Sequence, residues 1–92
     1  MLFYVITYDI PSDQRRKKVA DLLEGYGRRV QYSVFECILP AKKFEELQDH
    51  LAKRINLAED SIRFYPLSRQ TLGQVTLWGG VPLTPLPGSV II

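Results

Sequence analysis

The stretch LFYVITYDIP (residues 2–11) decides the fold, because it combines a strong strand signal with a distinctively placed carboxylate. Residues 2–8 are almost continuously apolar and rich in aromatic and β-branched side chains, a pattern typical of a central β-strand. Asp9 ends this run, and Pro11 stops the strand. A carboxylate at a strand end can hold a hard cation, since Mg²⁺ prefers oxygen ligands.

The basic segment after Asp9 predicts a helix that carries a phosphate-binding surface. Ser12 or Asp13 can cap this helix, and Gly25 and Gly27 end it. Its apolar residues recur at helical spacing and predict a core-facing stripe: Val19, Leu22, Leu23 and Tyr26. Four consecutive cations occupy its first turns: Arg15, Arg16, Lys17 and Lys18. Because the helix dipole disfavours cations there, a role in binding phosphates is favoured; a solvated helix face is the alternative.

The middle of the chain predicts further strand and a second helix. Residues 28–39 are strand-like throughout and form either one long bent strand or two short strands joined near Ser33 or Glu36. Pro40 closes this region. An amphipathic helix follows, and its apolar face is formed by Phe44, Leu47, Leu51 and Ile55.

The order of the elements predicts an α+β fold. Residues 61–67 alternate as a strand, and residues 74–78 predict a further short strand after a polar turn over 68–73. We therefore expect a ferredoxin-like βαββαβ domain with an additional C-terminal strand over residues 1–80. Residues 81–92 form an extended proline-rich tail with a hydrophobic end, which predicts docking on a partner subunit; a frayed terminus is the alternative.

Composition limits the classes of protein that the chain can represent. Its 92 residues, 46% of them hydrophobic, suffice for one globular domain, and the net charge of +2 is too small to prove a nucleic-acid partner. A lone cysteine, Cys37, excludes an internal disulfide, and no stretch is long enough to span a membrane. These features predict a cytoplasmic protein without a membrane partner. Cys37 is interpreted as a buried residue and His50 as a helix-surface residue, not as a nucleophile or a ligand.

Three short patterns together resemble the CRISPR-associated protein 2 family, the small subunit of the spacer-acquisition machinery. They are YDI at 8–10, QYSVFE at 31–36 and DSIRFYPL at 60–67, and the resemblance spans about residues 1–80. It implies a ferredoxin-like homodimer in which the C-terminal strand of each subunit crosses to the sheet of its partner.

The resemblance implies a function in CRISPR adaptation. Members of the family are metal-dependent endonucleases that cleave phosphodiester bonds of RNA or DNA and bind duplex DNA. The implied partners are a second copy, the CRISPR integrase, and duplex DNA or single-stranded RNA. The alternative is a non-catalytic adaptor that bridges integrase dimers. A generic RNA-binding ferredoxin-like module is disfavoured, because residues 29–35 lack the glycine of its aromatic strand motif.

The resemblance also assigns site residues. Asp9 corresponds to the metal-binding aspartate, so the two Asp9 side chains of a dimer would hold one magnesium ion, and Tyr8 accompanies Asp9 as a catalytic residue. The implied nucleic-acid contacts are Arg15, Arg16, Lys17, Lys18, Arg29, Ser33 and Phe35. Lys18 replaces an arginine of the family and loses its bidentate grip on phosphate. Two alternatives stay open: Asp9 as a turn residue, and Phe35 as a core aromatic.

Overall fold

The computed structural model describes residues 1–86, which fold into four strands and three helices. The elements follow in the order β1 (Leu2–Asp9), α1 (Asp13–Glu24), β2 (Arg28–Gln31), β3 (Val34–Leu39), α2 (Ala41–Ala52), β4 (Ser61–Leu67) and α3 (Arg69–Leu72). The sheet is antiparallel with the strand order β2-β3-β1-β4. This arrangement confirms the ferredoxin-like βαββαβ prediction. In the described part of the chain, no helix is both long and apolar enough to cross a membrane.

The central strand β1 separates two faces of the sheet, because its side chains alternate between them. Tyr4, Ile6 and Tyr8 point into the core beneath α1 and α2, which we call the helix face. The core residues contributed by the other elements are Val19, Ala20, Leu23, Phe35, Cys37, Leu39, Leu47 and Leu51. Asp9 and the other odd-numbered residues of β1 point to the opposite side, which we call the open face.

The start and end of α1 follow from its sequence. Ser12 is the N-cap, and its hydroxyl accepts a hydrogen bond from the backbone N–H of Arg15 at 3.2 Å. Gly25 is the C-cap. Gly27 then lies where no side chain fits, since a Cβ there would come within 2.3 Å of the Glu36 carbonyl oxygen. The chain can therefore enter β2 only because position 27 lacks a Cβ.

The strand-like region 28–39 divides into two strands. The turn that joins β2 and β3 lies at Tyr32–Ser33, so the chain breaks near Ser33, one of the two positions considered from the sequence. The register between the strands shifts between Arg29 and Gln31. Such an irregularity places an extra residue in one strand and bends it, which allows the chain to reverse without a glycine.

The C-terminal part of the described chain differs from the prediction. Residues 69–72 form the short helix α3 in place of a polar turn, because the Ser68 hydroxyl caps the backbone N–H of Thr71 at 3.1 Å. Residues 74–78 form neither a strand nor a helix, so the predicted additional C-terminal strand is absent from residues 1–86 of a single chain. A strand needs a partner edge for its N–H and C=O groups. The predicted hydrophobic end of the tail lies outside the described residues.

A C-terminal segment (residues 76–86) lies across the open face. It turns at Gly79 and Gly80, whose φ angles of 69° and 74° suit glycine. Arg28 then donates a hydrogen bond to the Pro82 carbonyl. The backbone N–H and the hydroxyl of Thr84 both donate to the Glu36 carboxylate, at 2.9 and 2.8 Å. This contact explains how Glu36 is only 7% exposed on a face that no helix covers.

Candidate functional site

Strand β1 delivers Asp9 to the end of the sheet on the open face. Its cross-strand partner in β4 is Ser61, and both residues are exposed. Within residues 1–86, the Asp9 carboxylate takes part in no ion pair or hydrogen bond, and Ser12 rather than Asp9 caps α1. The interpretation of Asp9 as a turn residue therefore has no hydrogen bond to support it.

Residues 1–86 of one chain supply few ligands for a metal ion at the end of β1. The described residues contain no group of three His, Cys, Asp or Glu side chains that could hold one. Asp9 offers one carboxylate, and its cross-strand partner is Ser61. Their oxygen atoms suit a hard cation, whose remaining ligands would come from water or from another molecule.

Arg16 braces the backbone directly after Asp9. Its guanidinium donates to the Ile10 carbonyl oxygen at 2.9 Å and pairs with Asp13 in the first turn of α1. The hydrogen bond to Asp13 raises the pKa of Arg16, so the side chain stays charged. The strand end that bears Asp9 is thereby tied to the start of α1.

Tyr8 lies on the other side of the sheet from Asp9. It is 6% exposed, and its hydroxyl points at the Tyr32 carbonyl oxygen at 3.5 Å. Burial raises the pKa of Tyr8 despite the nearby charge of Arg29, so the phenol is neutral at physiological pH. Within one chain, Tyr8 and Asp9 do not meet at a common site. Tyr8 instead supports the strand end from the helix face.

A cavity of about 310 Å³ opens beside the Tyr8 hydroxyl, between α1 and the turn after β2. We call it the helix-side pocket. It is lined by Tyr8, Asp13, Arg16, Lys17, Ala20, Asp21, Arg29 and Tyr32. Arg29 donates to the Tyr32 carbonyl oxygen at 2.9 Å and lies 5.2 Å from the ring centre of Phe35. The pocket thus brings together three predicted nucleic-acid contacts, Arg16, Lys17 and Arg29.

The four cations of α1 occupy different environments. Arg15 is bound to the fully buried Asp60 carboxylate at 2.8 Å and to Glu59 at 3.0 Å. Lys17 pairs with Asp21 at 2.9 Å one turn along the helix, where both side chains are exposed. Lys18 is exposed and forms no ion pair within the described residues. The contacts of Arg15 favour a structural role, whereas Lys17 and Lys18 present their charge to solvent.

The second sequence motif contributes mainly to the core. Phe35 is 0% exposed, which agrees with its interpretation as a core aromatic. Because the side chain is buried, it has no surface with which to contact a nucleic acid. Ser33 is partly buried in the turn, where its carbonyl oxygen accepts the backbone N–H of Tyr8 at 3.1 Å. Burial raises the pKa of the Cys37 thiol to about 11, which disfavours a thiolate nucleophile.

Three side chains of interest escaped sequence reasoning. Tyr32 is an aromatic residue with 73% exposure at the rim of the helix-side pocket. The sequence signal for this exposure was the position of Tyr32 next to Ser33, where one of the two possible breaks in the strand was predicted. Glu36 and Asp60 are buried carboxylates, and their partners lie 48 and 45 residues away in the sequence, so no local pattern identifies them.

Comparison with known proteins decides the family. The family described as CRISPR associated protein Cas2 matches residues 1–75. The chain belongs to the Cas2 family. Its relatives include CRISPR-associated endoribonuclease Cas2 3 of Synechocystis sp., which is 66% identical over 92 residues and matches over the full length of both chains. CRISPR-associated endonuclease Cas2 2 of Thermus thermophilus is 45% identical, with 90% of this chain and 88% of the relative covered.

Solved Cas2 structures share this fold. Cas2 of Streptococcus pyogenes superimposes with a TM-score of 0.75 at 35% identity, covering 84% of this chain and 99% of that one. A chain of a partial Cas6-RT-Cas1–Cas2 complex gives a TM-score of 0.82 at 33% identity, with both chains covered completely. The predicted family and the ferredoxin-like fold are therefore confirmed, while the homodimer with its crossing C-terminal strand stays a prediction.

Proposed function

We propose that this Cas2-family chain is a metal-dependent endonuclease of CRISPR spacer acquisition that cleaves RNA or DNA and binds duplex DNA. The observation that carries the proposal is Asp9, an exposed carboxylate at the end of β1 that no cation or donor of residues 1–86 engages. A carboxylate left unpaired at a strand end is suited to binding a metal ion. The relatives named endoribonuclease and endonuclease support this chemistry.

A symmetric dimer completes the site, because it presents the same residue twice. The two Asp9 carboxylates then supply oxygen ligands from both subunits, and magnesium keeps several of its own water ligands. Magnesium bound there would polarise a phosphoryl oxygen and neutralise developing negative charge. Asp9 holds the cation, and Arg16 keeps the strand end in place through the Ile10 carbonyl.

The charged residues around this end of the sheet bind the nucleic-acid backbone in our proposal. Lys17 and Lys18 present exposed cations on α1, and Arg29 contributes from β2. Their contacts with phosphates are independent of base sequence and release counterions, so binding falls as salt rises. Tyr8 shapes the site from the helix face, where its hydroxyl reaches the Tyr32 carbonyl.

The proposed partner is the CRISPR integrase, and the proposed location is the cytoplasm. A solved Cas2 chain that matches this one completely belongs to a complex that contains Cas1, which supports the partnership. The same match supports a role as an adaptor between integrase dimers, while the nuclease names of the relatives favour cleavage. The proposed docking of the tail over residues 81–92 on a partner subunit concerns its part outside the described residues, because Pro82 and Thr84 contact the sheet of their own chain.

Cleavage assays with Asp9→Asn test the proposal. Labelled duplex DNA and single-stranded RNA are incubated with the purified protein in magnesium or in EDTA. We expect cutting that requires magnesium and falls on the order of 100-fold in Asp9→Asn, the scale seen when one transition-state stabilising group is lost. The matched control is Asp49→Asn, which neutralises an exposed carboxylate on α2 and should cut like the wild type.

The other outcomes separate the two candidate functions. Cutting that Asp9→Asn leaves unchanged would remove Asp9 from the chemistry. Absence of cutting by the wild type, together with intact duplex binding, would make the chain an adaptor. The proposal also requires a dimer, which analytical ultracentrifugation at micromolar concentration tests. A stable monomer would lack the second Asp9 carboxylate.

A further inference from the structure

Tyr32 has a side chain that the fold does not use. Its ring is 73% exposed in the turn between β2 and β3. The contacts that fix this turn run through its backbone carbonyl, which accepts from Arg29 at 2.9 Å and from the Tyr8 hydroxyl at 3.5 Å. Any residue at position 32 would supply that carbonyl. The aromatic ring is therefore available for binding.

The ring stands at the rim of the helix-side pocket, between cationic side chains. Arg16, Lys17 and Arg29 line the same cavity of about 310 Å³. Tyr32 lines this cavity together with these three cations, and its exposed ring lies at the mouth of the cavity. An aromatic face next to two guanidinium groups matches a nucleotide, which consists of a flat base and a phosphate.

The carboxylates around the pocket do not prevent a phosphate from binding. Lys17 pairs with Asp21 and Arg16 pairs with Asp13, both within α1 and both with an exposed carboxylate partner. Glu24 lies 3.8 Å from Arg29. Exposed pairs of this kind stabilise a protein little, since water screens them. A phosphate can therefore compete with each carboxylate for its cation.

We propose that the helix-side pocket binds one unpaired nucleotide, with the base stacked on Tyr32 and the phosphate held by Arg16 and Arg29. The inference rests on the proposed function and adds that the nucleic acid is single-stranded where it binds this pocket. A base inside a duplex already stacks on its neighbours, so only an unpaired base can lie against the ring. The pocket and Asp9 belong to adjacent positions of β1 on opposite faces, so a strand that wraps around this end of the sheet reaches both.

Binding of a labelled single strand of about 12 nucleotides, a length within known single-strand site sizes, tests this inference. The probes are oligo-uridine, and a hairpin duplex with a matched number of phosphates, each followed by fluorescence anisotropy. Tyr32→Ala should weaken binding of the single strand about tenfold, within the range known for loss of one stacked base. Tyr32→Phe should bind like the wild type, because it keeps the ring.

Controls separate stacking from damage to the fold. Duplex binding should stay within about twofold for Tyr32→Ala, because phosphate contacts dominate duplex affinity. Tyr65→Ala removes an exposed tyrosine from the opposite face of the sheet and should bind both probes like the wild type. A thermal melt of Tyr32→Ala that matches the wild type verifies that the turn is intact.

Three outcomes would overturn the inference. The first is single-strand binding by Tyr32→Ala that equals the wild type, and the second is an equal loss on both probes. If cleavage still depends on Asp9 in those cases, the proposed function stands and only the role of Tyr32 fails. The third is absence of binding to either probe by the wild type, which would overturn the pocket and the proposed function together.

Discussion

The two faces of the sheet belong to the same strands but are covered in different ways. On the helix face, α1 and α2 follow their strands directly and bury Phe35 completely. On the open face, a C-terminal segment far along the chain lies over Glu36 and leaves Asp9 exposed. Adjacent residues of β3 show the contrast, since Phe35 is fully buried and Val34 only partly.

This difference indicates where stability and function reside. The helix face is closed by elements of the same chain and holds the continuous core. The open face is covered by one extended segment held by hydrogen bonds to Glu36 and from Arg28, and it carries Asp9, for which we propose a metal-binding role in a dimer. A binding surface is less tightly closed than a core, because opening a closed core would cost most of the stability of a small domain.

Truncating the adjacent residues Phe35 and Val34 tests the contrast most strongly. Phe35→Ala should lower the free energy of unfolding by about 3–5 kcal/mol, since it leaves a cavity in a closed core. Val34→Ala, which serves as the matched control on the open face, should cost about 1 kcal/mol, because its side chain is only partly buried. Urea denaturation followed by circular dichroism measures both. Equal losses would contradict the contrast and would mean that the open face is as closed in solution as the helix face.

Breaking the ion pair between Arg15 and the buried Asp60 should give the next largest loss of stability, and this loss depends on pH. The hydrogen bond from Arg15 holds the pKa of Asp60 below its ordinary value. A lowered native pKa stabilises the fold at pH values above the unfolded pKa of about 4, and this contribution is lost as the pH falls through the native value. Arg15→Met should therefore lower the urea midpoint clearly at pH 7, and its difference from the wild type should shrink on acidification.

A matched variant checks that the Arg15 effect comes from the buried carboxylate. Lys17→Met removes a cation of the same helix whose partner, Asp21, is exposed, so its urea midpoint should change much less. The contrary result is that the urea midpoints of Arg15→Met and the wild type differ by the same amount at pH 7 and at acidic pH where carboxylates are protonated. That result would show that protonation of Asp60 does not change the contribution of the pair. The pair would then contribute packing rather than charge.

The smallest expected effect is on the C-terminal segment that covers the open face. Thr84→Val removes the hydroxyl that donates to Glu36 at 2.8 Å and keeps the backbone N–H that donates at 2.9 Å. Loss of one such hydrogen bond costs about 1 kcal/mol, which corresponds to about fivefold faster hydrogen exchange of the Thr84 amide, the amide that donates to Glu36. The control Thr76→Val changes an exposed threonine and should leave the exchange unchanged. Slower global unfolding or unaltered exchange in Thr84→Val would show that the hydroxyl does not hold the segment.

Local sequence patterns predicted the elements whose causes are local. Ser12 caps α1 because its hydroxyl reaches a backbone N–H three residues on, and residues 61–67 form β4 because they alternate in polarity. The position of the break within residues 28–39 could not be chosen, since it depends on a register shift against β3. Residues 74–78 have the composition of a strand, yet composition alone does not provide an edge with which to pair.

The residues of the candidate site also divide into those that the sequence predicted and those whose environment only the structure shows. Asp9 was predicted because its place at the end of an apolar strand is visible in the sequence, and the family resemblance added its expected role. Arg15 and Lys18 look equivalent in the sequence and differ in the structure, since a buried Asp60 engages only Arg15. Phe35 and Tyr32 belong to one motif, yet one is buried and the other exposed, because the turn at Tyr32–Ser33 breaks the alternation of the strand.

The sequence by itself determined the order of elements from β1 to β4 apart from the break within residues 28–39, the family, and the carboxylate that ends β1, because these follow from the spacing of apolar residues and from short motifs. Only the tertiary structure decided that Arg15 engages a buried carboxylate and that Glu36 is buried beneath Thr84. Those properties depend on contacts between residues that are 45 to 48 positions apart. Distances of that kind are set when the chain packs, and no local pattern records them.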